Sequence, residues 1–375
     1  MLYRQILLIS SVVLVLFSAC KNTEDESIDS NTQENVYSRV FEQVWNTLDT
    51  SYVFFDVMPC NWDSLHKAQL DVMKSVKTEE EFKIAMKEFF AAMQDPNILF
   101  TYQFGNPAWS VHAPWMTLDC HDWIAKDYDT YSILNDSKDI GIGNGTMRLV
   151  TAARINKLNN DTTRYNAIVF MGSPHDPNGM YKAYFKNYLK KLSSEPTSTG
   201  LIIDFRIKGS VNVTFASTIL EAFYPEGETC TITAKVRAST SSKDLVNAGN
   251  MAFTGEGLYS NKPVVILVNE DVSLEEHVLA SILSELQNVT IVGRSQSCGR
   301  GGICAQVHLT IPEYQTENIL VYPRVGLTDN KHKSLSSPLQ PDFLVNWPLT
   351  SWIGNDYDKC IDAALDCIDE YIAKK

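Results

Sequence analysis

One stretch constrains the fold of this chain more than any other, residues 262–302. It holds a continuous apolar run at 264–268, apolar residues at helical spacing from Leu274 to Leu286, and a second apolar run at 289–292. Continuous β-branched runs are typical of strands buried on both faces, and the spacing between them is typical of a helix with one buried face. The stretch therefore predicts a strand, a helix and a second, parallel strand joined by a right-handed crossover.

The carboxyl ends of these two predicted strands are where function is expected, because ligands of open α/β sheets bind at that edge. The segments concerned are the polar turn 269–274 and the Gly/Ser/Cys-rich loop 294–302. Ser273 lies in the turn, His277 lies one turn into the helix, and Asp204 and Arg206 follow an earlier core strand. These side chains are the first candidates for a site.

The residues around this unit resemble the tail-specific, or C-terminal-processing, serine proteases. The resemblance is carried by KPVVILVN (262–269), VTIVG (289–293), GLIIDFR (200–206) and QPD (340–342), and it spans most of residues 37–372. It implies an α/β fold with a ClpP/crotonase-like core, in which crossover helices flank a mostly parallel sheet behind a small α-helical subdomain. It also implies a serine-type peptidase site that acts on polypeptide.

The sequence departs from the family pattern where the family carries out its chemistry. Counted back from Gly293 without gaps, the nucleophile position falls on Leu274, with Ser273 one residue earlier. The family's general-base Lys would lie near Gly299, where Cys298 and Arg300 stand instead, and an Arg stays protonated at any working pH.

Two further family motifs are also changed. The family's "DGH" appears as Asp95-Pro96-Asn97 without a His, and its Gly-rich turn appears as residues 207–210 (IKGS). Together the departures predict a protein that keeps a groove for extended polypeptide or a peptide C-terminus but has lost family-type proteolysis. The alternatives are an active serine-type peptidase that uses Ser273, and a structural or nutrient-capture surface lipoprotein.

Each candidate side chain also has a structural interpretation. Ser273 at the start of a helix suits a nucleophile, but it equally suits an N-cap with Glu276 at the third helical position, and the cap is favoured. His277 is a possible base, but a partly buried helix residue is favoured. Asp204 and Arg206 can bind a ligand carboxylate or pair with each other, and the sequence leaves both open.

The amino terminus has the pattern of a lipoprotein signal. Residues 1–19 contain one Arg and an apolar run at 6–17 that is short for a membrane span, and Phe17-Ser18-Ala19-Cys20 resembles a bacterial lipobox. We therefore expect lipidation at Cys20 and anchoring at the bacterial outer membrane or cell surface. An ordinary secretory signal with an incidental Cys is the alternative.

The remaining organisation follows from composition and periodicity. Residues 20–35 are predicted to be an acidic tether, 36–99 a helical subdomain and 100–375 the protease-like core, with no clear PDZ domain. A formal net charge of −13 argues against nucleic acid as a partner. Cys298 and Cys304 lack the spacing of a zinc site, so neither a metal nor a cofactor is expected.

Several local elements are specific enough to be checked. Thr78 with Glu81 predicts a capping box that opens a helix through Met93. The runs 305–311 and 318–325 predict a hairpin at the margin of the sheet, and residues 356–372 predict a closing amphipathic helix.

Overall fold

The computed structural model describes twelve stretches of the chain, namely residues 35–105, 107–112, 136–142, 145–155, 162–170, 180–196, 198–206, 213–272, 274–311, 317–329, 335–346 and 358–375. The expected signal peptide, Cys20, residues 21–34 of the tether, the turn 207–210 and Ser273 lie outside these stretches. The predictions made for them, and the boundaries of the domains, stay predictions.

The amino-terminal region is helical. Its three α-helices are α1 (Val36–Ser51), α2 (Trp62–Ser75) and α3 (Glu79–Met93), with a 3₁₀ turn at Phe55–Val57. Thr78 accepts a hydrogen bond from the Glu81 N–H, and the Glu81 carboxylate accepts one from the Thr78 N–H, which confirms the capping box. The helices bury a mainly aromatic core that includes Phe41, Trp45, Phe82, Phe89 and Phe90.

A seven-stranded sheet forms the central layer of the core. Its strands are β3 (Asp136–Ile142), β4 (Gly145–Ile155), β5 (Thr162–Phe170), β6 (Gly200–Asp204), β9 (Val264–Val268), β10 (Val289–Gly293) and β13 (Phe343–Leu344). Along the order β13-β10-β9-β6-β5-β4-β3, the strands from β13 to β5 are parallel and β4 and β3 are antiparallel. The parallel pairing of β9 with β10, with Ile266 opposite Ile291, confirms the central sequence prediction.

Helices cover both faces of this sheet, as the crossover pattern requires. They are α4 (Met180–Ser194), α5 (Val213–Phe223), α6 (Leu274–Leu283) and the closing helix α7 (Lys359–Ala373). Alternate residues of β9 face opposite layers: Ile266 packs in the cluster formed with α4, α5 and α6, whereas Val265 and Leu267 pack against α7. The predicted α/β fold class with a parallel sheet is confirmed.

A second, antiparallel sheet links the helical region to the core. Its strands are β1 (Leu99–Tyr102), β2 (Trp109–His112), β7 (Thr229–Ser239), β8 (Ser242–Thr254), β11 (Gly302–Thr310) and β12 (Glu317–Thr328). The predicted hairpin exists as β11 and β12, but it does not lie at the margin of the parallel sheet. It belongs to this second sheet because Leu320 and Tyr322 pack with the aromatic core of the helices.

Candidate functional site

The turn after β9 is a tight elbow tied to the end of β6. The Asn269 side chain accepts a hydrogen bond from the Asp271 N–H at 3.0 Å and donates one to the Arg206 carbonyl at 2.9 Å. The Val272 N–H donates to the Asn269 carbonyl at 3.2 Å, which closes the turn. The elbow therefore holds the start of α6 at the carboxyl edge of the parallel strands, where the sequence placed the site.

Leu274, at the predicted nucleophile position, has an unusual backbone. Its φ is 50°, in the left-handed region, and α6 begins at this residue. That conformation costs a residue with a Cβ roughly 1–2 kcal/mol, and such strain is found mainly at functional sites. The elbow therefore has a strained backbone at the predicted nucleophile position, while its side chain carries no hydroxyl. Ser273, beside it, lies outside the described residues, and neither of its two roles is tested.

Two carboxylates occupy the first turn of α6. Burial, aided by the neighbouring Glu276, raises the pKa of Glu275 to about 8. A helix N-terminus ordinarily favours the charged form of a carboxylate, so loss of water is the dominant influence here. The elbow thus holds a carboxyl group that gains and loses its proton near neutral pH.

His277 belongs to a buried hydrogen-bond network rather than to an open site. Its Nδ1 lies 2.8 Å from the Ser297 hydroxyl, and its Nε2 lies 3.4 Å from the Ser281 hydroxyl. The Ser297 oxygen accepts N–H bonds from Leu339 at 2.9 Å and Gly299 at 3.3 Å, which occupies both its lone pairs. With both lone pairs in use, the Ser297 hydroxyl is suited to donate its proton to His277 Nδ1.

The buried state of this pair decides its role. His277 and Ser297 are 0% and 1% exposed, so a substrate reaches neither side chain. The expectation of a partly buried His277 is corrected: it is fully buried, because the loop 294–302 and residue 339 close over it. Although the distance between Ser297 and His277 suits a catalytic pair, the geometry assigns them to holding the loop in place.

Arg300 lies where the family base is expected and is bound to the helical region. Its Nε lies 3.6 Å from Asp95 Oδ2, and its Nη2 donates to the carbonyls of Val57 and Gln94 at 3.4 and 3.3 Å. Asp95, fully buried, also accepts the Tyr52 hydroxyl at 2.7 Å. Two positions that were singled out separately in the sequence, residue 95 and residue 300, thus meet in one cluster.

The charge environment of this cluster keeps Arg300 protonated. Burial lowers the pKa of Arg300, but Asp95 and then Tyr52 outweigh it, and the net pKa is raised. The pKa of Tyr52 is raised well above its usual value by burial and by Asp95. Asn97, at the position of the family His, donates from its N–H and its side chain to Asp95 Oδ1 at 2.9 Å each. Arg300 therefore stays protonated and Tyr52 keeps its hydroxyl proton near neutral pH.

Asp204 and Arg206 pair with each other, which settles the alternative that the sequence left open. Arg206 Nε lies 2.9 Å from Asp204 Oδ1, and Nη2 lies 2.6 Å from Asp204 Oδ2. Arg206 Nη1 lies 2.5 Å from Asp358 Oδ2, and Asp358 Oδ1 accepts the N–H of Cys360 at the start of α7. This buried cluster fastens the closing helix to the end of β6, so its role is structural.

Other features of the site concern sulfur, metals and membranes. Cys298 donates from its thiol to the Val272 carbonyl at 3.1 Å, which ties the loop to the elbow.

In the part of the chain that the structure describes, no cysteine forms a disulfide and no group of three or more His, Cys, Asp or Glu side chains is placed to hold a metal. No helix among the described residues is long and apolar enough to cross a membrane.

Three residues that matter here were not found from the sequence: Tyr52, Ser297 and Asp358. Asp358 carries a local signal, since Asp before a helix is a common N-cap. Its pairing with Arg206 carries none, because 152 residues separate the two. Ser297 lies in a loop whose Gly, Ser and Cys residues give no periodic pattern, and Tyr52 follows a helix end.

The architecture defines an α/β protein whose candidate site lies at the carboxyl edge of a parallel sheet, on a strained turn between strand and helix. Residues 173–345 match the model of peptidase family S41. This match covers most of the α/β core, and the resemblance to tail-specific proteases drawn from the sequence is confirmed. No curated protein sequence matches the chain.

Solved structures agree with the family at the level of fold. A candidate peptidase from Parabacteroides merdae ATCC 43184 superposes with a TM-score of 0.60 at 16% identity, over 91% of this chain and 96% of that one. Mature CPAF complexed with lactacystin gives a TM-score of 0.61 at 8% identity, over 90% and 99% of the two chains. At these identities the likeness shows the shared fold alone.

Proposed function

We propose that this chain is a catalytically degenerate member of peptidase family S41, a lipoprotein of the bacterial cell envelope that binds extended polypeptide without cleaving it. The observation that carries the proposal is Leu274. The position predicted for the nucleophile has a strained elbow backbone and a side chain that cannot attack a carbonyl. Retention of the fold and the elbow without the hydroxyl supports binding without turnover.

Arg300 and His277, the residues that the sequence offered as bases, are engaged in other contacts. A serine peptidase needs a base within hydrogen-bond reach of its hydroxyl. Arg300 stays protonated and is bound to Asp95, and His277 is enclosed with Ser297. Losing one member of a catalytic set already removes most of the rate, so several losses together predict turnover at background.

A second candidate function is an active serine-type peptidase that uses Ser273. One observation favours it: the carboxyl of Glu275, two residues from Ser273, has a pKa raised to about 8. A group that titrates near neutral pH is suited to act as a general base. In this alternative Glu275 takes the proton of Ser273, and Leu274 only shapes the elbow.

Covalent labelling separates the two functions. The full-length lipoprotein in detergent is treated with an activated fluorophosphonate, alongside the Ser273→Ala variant, and labelled residues are identified by mass spectrometry. We expect no more labelling of the wild type than of Ser273→Ala, together with binding but no cleavage of an unstructured polypeptide. Labelling at Ser273 that disappears in Ser273→Ala, with cleavage, would establish the peptidase instead.

The anchor is tested separately, because it rests on the lipobox-like residues Phe17–Cys20 alone. Cys20→Ala should move the protein out of the membrane fraction, since it removes the residue that carries the acyl chains. A variant that stays with the membrane would place the anchor elsewhere. Neither outcome affects the assignment of the core.

A further inference from the structure

Among the residues that the structure describes, three residues other than glycine have a left-handed backbone. They are Gln94, Leu274 and Arg300, with φ angles of 52°, 50° and 65°. This conformation disfavours a residue with a Cβ, and residues held in it cluster at functional sites. The three are far apart in the sequence, yet contacts through the loop 294–302 connect all of them.

Arg300 is the second of two successive left-handed residues in this loop. Gly299, before it, has a φ of 76° and lies so close to the neighbouring segment that a Cβ would meet the Ser336 carbonyl oxygen at 2.5 Å. Glycine suits that position, because it has no Cβ and adopts the left-handed region without strain. Arg300 lacks this freedom, so its backbone requires contacts that hold it.

The helical region supplies such contacts through the side chain of Arg300. Its Nη2 donates to the carbonyls of Val57 and Gln94 at 3.4 and 3.3 Å, and its Nε lies 3.6 Å from Asp95 Oδ2. Gln94 caps the C-terminus of α3, where the exposed carbonyls stabilise a cation. With 6% of its surface exposed, Arg300 is seated in the helical region although its backbone belongs to the loop.

The same loop holds the elbow. The Cys298 N–H donates to the Val272 carbonyl at 3.2 Å, and the Cys298 thiol donates to the same oxygen at 3.1 Å. Val272 stands two residues before Leu274. Arg300 Nη1 in turn lies 3.5 Å from the Cys298 carbonyl oxygen. Contacts therefore run from the end of α3, through the loop, to the elbow.

We propose that Arg300 is a positioning residue of the candidate site. From its seat at the end of α3 it keeps the loop in a left-handed turn at residues 299 and 300, and that turn keeps the elbow before Leu274 in its strained shape. The helical region thus sets the geometry of the carboxyl edge of the sheet. This role does not depend on whether the protein binds or cleaves a polypeptide.

Amide hydrogen exchange of the full-length protein in detergent, without any ligand, tests this role. The amides to follow are those of Val272 and Cys298, read by mass spectrometry with electron-transfer fragmentation. In Arg300→Ala both should exchange at least about tenfold faster than in the wild type, because the backbone strain stays and the contacts that oppose it are lost. Amides of β9 and β10 should exchange as in the wild type. Unchanged exchange at Val272 would overturn the link to the elbow.

Arg300→Gly separates positioning from simple stabilisation. Both variants lose the side-chain contacts, but Gly adopts a φ of 65° without strain and Ala does not. If Arg300 holds a strained backbone, exchange at Cys298 should be about fivefold slower in Arg300→Gly than in Arg300→Ala. Exchange at least as fast in Arg300→Gly would overturn the proposal, since replacing a residue that only stabilises the fold with Gly leaves the more flexible chain.

Asp95→Asn tests the connection from the helical region, and it keeps Arg300 in place if Arg300→Ala does not fold. The charge beside the guanidinium is lost while the two carbonyl contacts remain, so the same two amides should exchange about threefold faster. The matched control is Glu42→Gln, which removes the carboxylate 2.9 Å from His66 in the same region and should leave both amides unchanged. If Asp95→Asn changes them no more than Glu42→Gln does, Arg300 does not carry the position of the helical region to the elbow.

Discussion

The positive charges of two buried arginines in this molecule are balanced by different sets of contacts. Arg206 binds Asp204 through Nε and Nη2, at 2.9 and 2.6 Å, and reaches Asp358 through Nη1. Among the residues that the structure describes, Arg300 has one carboxylate near it, Asp95 at 3.6 Å, and its Nε makes no hydrogen bond to any of them. The first arginine is held in the fork geometry that guanidinium groups prefer, and the second is not.

The comparison shows that a buried charge is not by itself evidence of function. Burial lowers the pKa of Arg206, but Asp204 and Asp358 outweigh it and raise the pKa well above its usual value. That optimised cluster joins a helix to a sheet. The looser contacts of Arg300 occur at the position where the family resemblance expects a base.

The largest expected effect comes from Asp358→Asn, which breaks the tight cluster. The Asn side chain can still cap α7, so the change mainly removes the charge that faces Arg206. Because both groups are almost fully buried, with 0% and 2% of their surfaces exposed, we expect a loss of about 3–5 kcal/mol in the free energy of unfolding. Urea denaturation measures it.

The matched control is Glu370→Gln, on the same helix. Glu370 forms an exposed pair with Lys374 and should contribute less than about 1 kcal/mol. If Asp358→Asn costs no more than this control, the Arg206 cluster is not the structural clamp described above.

A smaller effect is expected where Asp95→Asn breaks the looser cluster. The variant can keep an oxygen for Asn97 but loses the charge near Arg300, whose Nη2 retains the carbonyls of Val57 and Gln94. We expect a loss of about 1–3 kcal/mol. A double-mutant cycle with Tyr52→Phe separates the hydroxyl contact from the ion pair. A loss as large as that of Asp358→Asn would contradict the contrast between the two arginines.

The two arginine clusters also show which features of the structure can be predicted from the sequence and which cannot. The run 264–268 predicted a buried parallel strand, because a strand covered on both faces must be apolar at every position, and the structure agrees. Strand β8 gave no such signal, since most of its side chains are exposed and lack alternation. Comparison with the family pattern identified Leu274 at the nucleophile position and Arg300 near the base position. No local sequence pattern could predict the pairing of Arg206 with Asp358.

Leu274 allows the elbow itself to be tested with two substitutions. In an ordinary helix Ala is more stable than Gly by up to about 1 kcal/mol. At a φ of 50° the order should reverse, because Gly adopts the left-handed region without strain and Ala does not. We therefore expect Leu274→Gly to be more stable than Leu274→Ala by about 1 kcal/mol, measured by denaturation. The ordinary order would show that the turn lacks the strain of an elbow.

The last prediction concerns the pH dependence of stability at this same elbow. The pKa of Glu275 is about 8 in the folded chain, raised by burial and by Glu276 from an ordinary value of 4.5. The folded state therefore keeps a proton that the unfolded state has already lost, so the free energy of unfolding should fall as the pH rises from about 4.5 to about 8 and level off above. Glu275→Gln removes this ionisation and should flatten that part of the profile and raise the melting temperature at pH values above 8. A slope equal to that of the wild type would mean that Glu275 is well solvated, and it would also remove the one observation that favours a working base beside Ser273.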